Sequence, residues 1–321
     1  KPARKKRASL LPHTLLSMEP FSVHILGCGS ARPTYRHKPA CQVVSLRGKL
    51  FMIDCGEGAQ MAFNRQGLNL SRLGCIFISH NHGDHVFGLP GLISTMALLG
   101  RTAELHIYGP KEVKAFIDMV EQLYCEGIDY KITFHAVDTK SHQIVFEDRS
   151  IKVWSIPLEH RIPACGYMFC EKNGLPHIKR EMIDAYNIPV CQINNIKASA
   201  GWTAEDGQVL THEMLTVPAA PTRSFAYCSD TIYKPGLSSL IKGADLLFHE
   251  ATYPEKLLYR AKQTYHSTAR QAAEAAKNAQ VKKLCIGHFS ARIYDEVSLL
   301  KEAQDVFANT ILANEGLIIE L

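Results

Sequence analysis

Residues 78–85 read "ISHNHGDH", which places His80, His82, Asp84 and His85 within six positions. The run follows the apolar stretch "CIFIS" and precedes the Gly/Pro-rich "VFGLPG", so it sits where a strand ends. Along an extended segment alternate side chains point the same way, so the imidazoles of His80 and His82 can reach one ion. Gly83 allows a sharp turn, which would carry Asp84 and His85 to a second position close by. Imidazole and carboxylate without thiolate favour zinc, with manganese or iron as alternatives. A solvated loop that merely happens to be histidine-rich accounts poorly for ligand types at this density.

Four ligands are too few for two ions, so other strand ends must supply more. His160 in "WSIPLEHRIPACGY", Asp230 in "SFAYCSDT" and His288 in "KLCIGHFSAR" each stand just past an apolar run, as His80 does. Taken singly, each is an ordinary loop residue. With the cluster they make five imidazoles and two carboxylates, enough for two ions about 3.5–4 Å apart that share a bridging aspartate and water.

The elements that must gather these strand ends follow from periodicity. The first third reads as short strands, "FSVHIL", "CQVVSL", "LFMID" and "CIFIS", punctuated by Gly and Asp. A helix over about 88–99, the strand "ELHIY" and an amphipathic helix after Gly109-Pro110 follow, then strands at about 130–134, 144–146 and 151–156. Residues 171–222 break the rhythm, being polar and weakly helical only near 177–186, and read as a projecting insertion. The pattern resumes with strand "SFAYCS", helix 235–242, strand "DLLFH", two helices to about 279, strand "KLCIG" and a final helix. Two similar passes of strands and helices predict an α/β fold of two packed sheets with helices outside.

With 46% apolar and 21% charged residues in 321, disorder is excluded. No run approaches the roughly 18–20 apolar residues of a membrane span. The net charge of +5 permits a polyanionic partner without demanding one, because much of it lies in "KPARKKRASLLPHTLLS". Residues 1–18 read as an upstream extension, a processed leader or a nucleic-acid-binding tail; Pro12 and His13 weaken a secretory signal. They are treated as a dispensable tail, disordered or non-native, before a single domain at 19–321. Ten scattered cysteines without a CxxC read as reduced core thiols of a cytoplasmic protein.

"SHNHGDH" resembles the HxHxDH signature of the metallo-β-lactamase superfamily. The chain is similar more narrowly to the ribonuclease Z family at "ILGCGSARP", "DCGEGAQ", "ISHNHGDHVFGLPGL", "IYGP", "SDT", "HEAT", "HST" and "GHFSAR". The resemblance implies a four-layer αββα sandwich in which His80, His82 and His160 hold one zinc and Asp84, His85 and His288 the other. Asp230 would bridge the two Zn2+ of each subunit. Asp84 would accept the proton of the attacking water, and His266, oriented by Glu250, would protonate the leaving 3′ oxygen. Two zincs would lower the pKa of a shared water and clamp phosphate oxygens. Read without the family, His266 is a residue ahead of a helix capped by Ser267 or Thr268, and both readings can hold together. Arg36 and Arg292 are candidate phosphate contacts, against the commoner case of surface arginines.

The insertion at about 171–222 occupies the place of the arm with which the family grips the tRNA elbow. Its tip lacks the usual Gly-Pro pair, and Lys172, Lys179, Arg180 and Lys197 are diluted by Glu171, Glu181 and Asp184, so a solvated excursion is the competing reading. His37 stands where asparagine often follows Arg36, and Ile293 where an aromatic often follows Arg292. The expected function is removal of the 3′ trailer from precursor tRNA by a homodimeric zinc endoribonuclease, leaving a 3′ hydroxyl. The rival is a small-molecule or cyclic-nucleotide phosphodiesterase on the same fold.

Overall fold

The computed structural model describes residues 20–321; the basic tail expected at 1–18 lies outside them. The first sheet contains β1 (Phe21–Gly27), β2 (Cys41–Leu46), β3 (Lys49–Ile53), β4 (Leu73–Phe77), β5 (Leu105–Gly109) and β6 (Ile132–Ala136). The second contains β7 (Ile144–Glu147), β8 (Ile151–Pro157), β9 (Cys165–Glu171), β10 (Ser224–Cys228), β11 (Leu246–Glu250), β12 (Lys283–Gly287) and β13 (Thr310–Leu312). A last strand, β14 (Ile318–Glu320), returns to the first sheet and pairs antiparallel with β1. The spatial orders are β14-β1-β2-β3-β4-β5-β6 and β13-β12-β11-β10-β9-β8-β7. The sheets share one pattern: antiparallel from β14 to β3 and from β7 to β10, parallel from β3 to β6 and from β10 to β13.

Strand alternation assigns the faces. Val44, Phe51, Ile53 and Phe77 point to the second sheet and share a core with Val153, Tyr167 and Phe225. Their neighbours Val43, Met52 and Ile76 point the other way, onto α1 (Ala59–Arg65), α2 (Leu89–Leu98) and α3 (Glu112–Tyr124). The outer face of the second sheet is covered by α4 (Ala269–Ala279) and α5 (Glu296–Gln304). Ala272, Ala273 and Ala276 of α4 are fully buried, which lets that helix lie close to the strands beneath it. The result is four layers, helix–sheet–sheet–helix.

The structure departs from the sequence pattern at four places. The central strand β9 is interrupted by Gly166, yet a Cβ there would lie 2.3 Å from the Tyr227 carbonyl oxygen, so only glycine lets β10 pair. β13 and β14 are three residues each, too short to stand out from their turns. Residues 190–197 form a helix despite a β-branched and Asn-rich composition, because Ile196 enters a separate small core with Ile188, Leu210 and Leu215. The expected helix at 235–242 shrinks to one turn, Leu237–Leu240. All ten cysteines are free thiols, eight of them buried. Among the described residues no helix is long and apolar enough to cross a membrane.

Candidate metal centre

The loops that follow β3, β4, β8, β10, β11 and β12 meet at one edge of the sandwich, and their positions are set from behind. Asp54, just past β3, is fully buried. Its carboxylate accepts hydrogen bonds from Ser79 N, Ser79 Oγ, Tyr227 Oη and His85 Nδ1 at 2.7–2.9 Å. That one group ties both sheets and the ligand loop together. Four of the eight described non-glycine residues with positive φ lie here: Ala31 (63°), Asp54 (55°), Tyr265 (57°) and His288 (60°). Each costs roughly 1–2 kcal/mol, which persists only where the surroundings over-determine the backbone.

The structure brings the first ligand group together. His80 Nε2 lies 3.0 Å from His82 Nδ1, which is 3.3 Å from His160 Nε2. Asp230 Oδ2 stands 3.6 Å from His80 Nε2 and 3.8 Å from His160 Nε2. The second group is equally close: Asp84 Oδ2 is 3.5 Å from His85 Nε2 and 3.6 Å from His288 Nε2. Asp230 Oδ1 faces that pair at 3.6 and 3.1 Å. Its two oxygens thus serve one group each. Gly83 achieves this differently from expectation: its φ is not left-handed, and Gly83–Val86 is a single helical turn carrying Asp84 and His85. A Cβ on Gly83 would sit 2.2 Å from the ring of Phe87, an exposed side chain that would have to turn aside.

Four imidazoles are fixed by what their Nδ1–H donates to: Ser79 Oγ for His80 (2.9 Å), Asp54 for His85 (2.8 Å), the Tyr265 carbonyl for His160 (2.9 Å) and Thr252 Oγ1 for His288 (3.1 Å). Each Nε2 is left for the centre, as for metal-ligating histidines. Burial holds His80 well below its ordinary range and lowers His82 and His160, so these rings are neutral with lone pairs converging on one point. Among the described residues, Nε2 of His85 and of His288 is buried with no hydrogen-bond partner. Burial opposes charge on His85, but Asp54, Asp84 and Asp230 together hold its pKa well above the ordinary value. The field there favours positive charge, whether a proton or a metal ion. The donor set fits divalent cations.

Beside the second group, His266 Nδ1 donates to Glu250 Oε1 at 3.0 Å. Glu250 is fully buried and also accepts from Thr231 N, Thr252 N, Thr252 Oγ1 and Ser267 N. Burial would lower the His266 pKa, but the Glu250 carboxylate raises it to about 9. Thr268 caps α4 through a capping box with Gln271, so capping and placement of His266 coexist. Burial raises Asp84 and Asp230, yet the surrounding imidazoles hold both carboxyls far below their usual range.

His82, Asp84, His160, Asp230 and His266 line a cleft of about 720 Å³ whose rim carries Arg32, Arg161, Arg260 and Arg292. Among the described residues, Asp84 and Asp230 are its only carboxylates. Arg36 is not among the lining residues: it donates to Glu296 at 2.6 Å and to the carbonyls of Ile293 and Tyr294. The sequence by itself assigns no role to Asp54, Thr252, Arg32, Arg161 or Arg260. Asp54 carried the signal that found Asp230, a carboxylate just past the apolar run "LFMI". The arginines carried none, because exposed arginines recur along the chain.

Residues 21–158 match a protein-family model described as "Anti-Pycsar protein Apyc1". The chain is 55% identical to a ribonuclease Z of Bacteroides fragilis, covering 95% of this chain and 100% of that one. It is 50% identical to a ribonuclease Z of Porphyromonas gingivalis, again over 95% of this chain and 100% of the relative. Among solved structures, the short form of human tRNase Z superposes with a TM-score of 0.67 at 25% identity, covering 93% of this chain and 98% of that one. A metallo-β-lactamase fold protein of Bacillus subtilis gives 0.66 at 17% identity, over 94% and 100%. The four layers are the metallo-β-lactamase fold.

Proposed function

The chain belongs to the ribonuclease Z family, and from that premise and the geometry of the cleft we infer that it is a metal-dependent endoribonuclease that removes the 3′ trailer from precursor tRNA and leaves a 3′ hydroxyl. The observation that carries the reading is Asp230, one oxygen turned to each ligand group, beside the His266–Glu250 pair. Two Zn2+ per subunit are the cations the imidazole and carboxylate donors suit best. Held there, they would supply Lewis-acid charge to the scissile phosphate and make water acidic.

His80, His82 and His160 would hold one ion, Asp84, His85 and His288 the other, with Asp230 between. Asp84, kept ionised by its imidazole neighbours, takes the proton of the attacking water as the new P–O bond forms. The P–O3′ bond breaks on the other side, and His266, kept protonated at neutral pH by Glu250, gives its proton to the departing 3′ oxygen. Arg292, joined by Arg32, Arg161 and Arg260, binds flanking phosphates.

Residues 19–321 act as one domain with the 171–222 arm as a tRNA-binding exosite, and the site of action is the cytoplasm. Homodimerisation is supported by the exposed apolar side chains Leu98, Leu99, Leu123 and Tyr124 on α2 and α3 and at their ends. The relatives do not favour the small-molecule phosphodiesterase. The test is a precursor tRNA with a 3′ trailer, incubated with wild type and Asp84→Ala after zinc per chain has been measured. One cut giving a 3′ hydroxyl, lost in the variant, is expected. Wild type that carries two zincs and hydrolyses bis(p-nitrophenyl) phosphate but leaves the tRNA intact would sink the reading.

A further inference from the structure

The loop between β1 and β2 reaches the centre through a backbone hydrogen bond. The Ala31 amide donates to Asp84 Oδ2 at 2.7 Å, from the left-handed region at φ 63°. An alanine does not rest there by preference, so something else in the loop must hold it. Its pins converge on His37, which is 6% exposed. His37 Nδ1 lies 3.0 Å from Glu315 Oε2, in the turn before β14, and Nε2 lies 3.0 Å from Glu296 Oε1, at the start of α5. Burial opposes charge on the ring, but Glu315 and Glu296 outweigh it and raise its pKa. Glu315 Oε1 also accepts the Lys38 amide at 2.7 Å, and Arg36 shares Glu296. The segment before α5 carries His288 and Arg292, and its Ser290 pairs with Ser30.

We infer that His37 is a positioning residue for the reaction: it fastens residues 29–38 between two carboxylates and thereby holds the Ala31 amide against Asp84. The amide restrains the oxygen that faces both His85 and His288, so Asp84 keeps one orientation rather than sampling rotamers. Cys28 Sγ stands 3.3 Å from His37 Nδ1, so Cys28, His37 and Glu315 also have the spacing of a metal site. A carboxylate on each ring nitrogen instead describes an imidazolium, which leaves no lone pair for a metal.

The inference rests on the role given to Asp84 above. Its test therefore includes a readout that does not depend on that role: the Ala31 amide proton resonance, shifted downfield by a charged acceptor. In zinc-loaded His37→Ala, this resonance should move upfield and kcat on bis(p-nitrophenyl) phosphate should fall about tenfold, with KM within about twofold and two zincs retained. A role confined to stability would lower the melting temperature and leave both readouts unmoved, which overturns the inference. Loss of a third zinc equivalent overturns it too, since His37 would then be a ligand. If His37→Ala does not fold, the Glu296→Gln/Glu315→Gln pair keeps the ring and removes its charges. Unchanged resonance and kcat in that variant reject the inference, and a shift in both supports it. A moved resonance in either variant, alongside an Asp84→Ala enzyme of normal activity, would leave the clamp standing and dismiss the reading of Asp84.

Discussion

In the cleft each candidate ligand except His82 and Asp230 has a named group holding it from behind, whereas residues 172–222 stand on a core of four buried side chains of their own. The charges differ as sharply. The cleft rim gathers four arginines, while residues 172–222 hold four lysines and arginines against five acids. Of those four, Lys172 is spent on Glu147 at 2.7 Å and Lys179 on the Met214 carbonyl at 2.8 Å. Chemistry demands atoms placed within fractions of an ångström, and the body supplies them with buried, mutually satisfied groups. If the arm is the tRNA exosite proposed above, recognition of a large polyanion would tolerate looser placement there, in keeping with its small size and near-neutral charge. The contrast also suggests that most of the electrostatic grip on RNA lies at the cleft rather than in the arm.

The largest effect that would break the contrast lies at Asp230. Asp230→Asn should cost on the order of 10³-fold or more in kcat and reduce bound metal below two per chain, because one oxygen no longer serves each group. A variant with full metal and near-normal turnover would mean that the two groups are independent. His266→Ala comes next, with an expected loss of about 10²–10⁴-fold. Metal content should be unchanged there, since His266 is held by Glu250 and not by the ligands. Loss of metal in that variant would make His266 a ligand rather than an acid.

How far the sequence revealed these two regions follows from the same difference. The candidate ligands could be picked out because strand ends mark them: His80, His160, Asp230 and His288 each close an apolar run. The two-pass rhythm gave the paired sheets, since buried strands and amphipathic helices have periods that can be read. The groups behind the ligands were not legible. Ser79, Thr252 and the Tyr265 carbonyl act through distance alone, and a hydroxyl or carbonyl carries no pattern. Residues 171–222 were half legible. The segment stood out as an insertion, but its helix at Val190–Lys197 depends on burying Ile196, a tertiary effect that local propensity opposes.

Removing the arm tests the other side of the contrast. Its two roots are adjacent, with the Glu171 amide donating to the Arg223 carbonyl at 2.9 Å and the Arg223 guanidinium bidentate on Glu171. Residues 173–221 can therefore be replaced by a short turn without pulling β9 from β10. Turnover of bis(p-nitrophenyl) phosphate should be unchanged. KM for precursor tRNA should rise by about tenfold, a loss of about 1.4 kcal/mol, with kcat little affected. No change in KM would assign tRNA recognition wholly to the body, and a fall in small-diester turnover would show that the arm supports the centre after all.

The smallest expected effect is a shift rather than a loss, and it separates the acid from its holder. His266 is raised to about 9 by Glu250 against the lowering effect of burial. An acid works only while protonated, so activity should persist below that pKa and decline as pH rises through it. Cations held in the centre would repel the proton, so the alkaline limb of wild type should lie at or below about pH 9. In Glu250→Gln the raising charge is gone while burial remains, so the limb should move to lower pH by about one to three units. Amplitude is a poor guide in this variant. Four groups besides His266 donate to Glu250, and Gln cannot accept them all, which costs about 1–3 kcal/mol for each donor left unpaired. The position of the limb does not depend on the fraction folded, so it reports the proton on His266 directly. A limb that stays in place while turnover falls would mean that Glu250 shapes the loop but does not hold the acid.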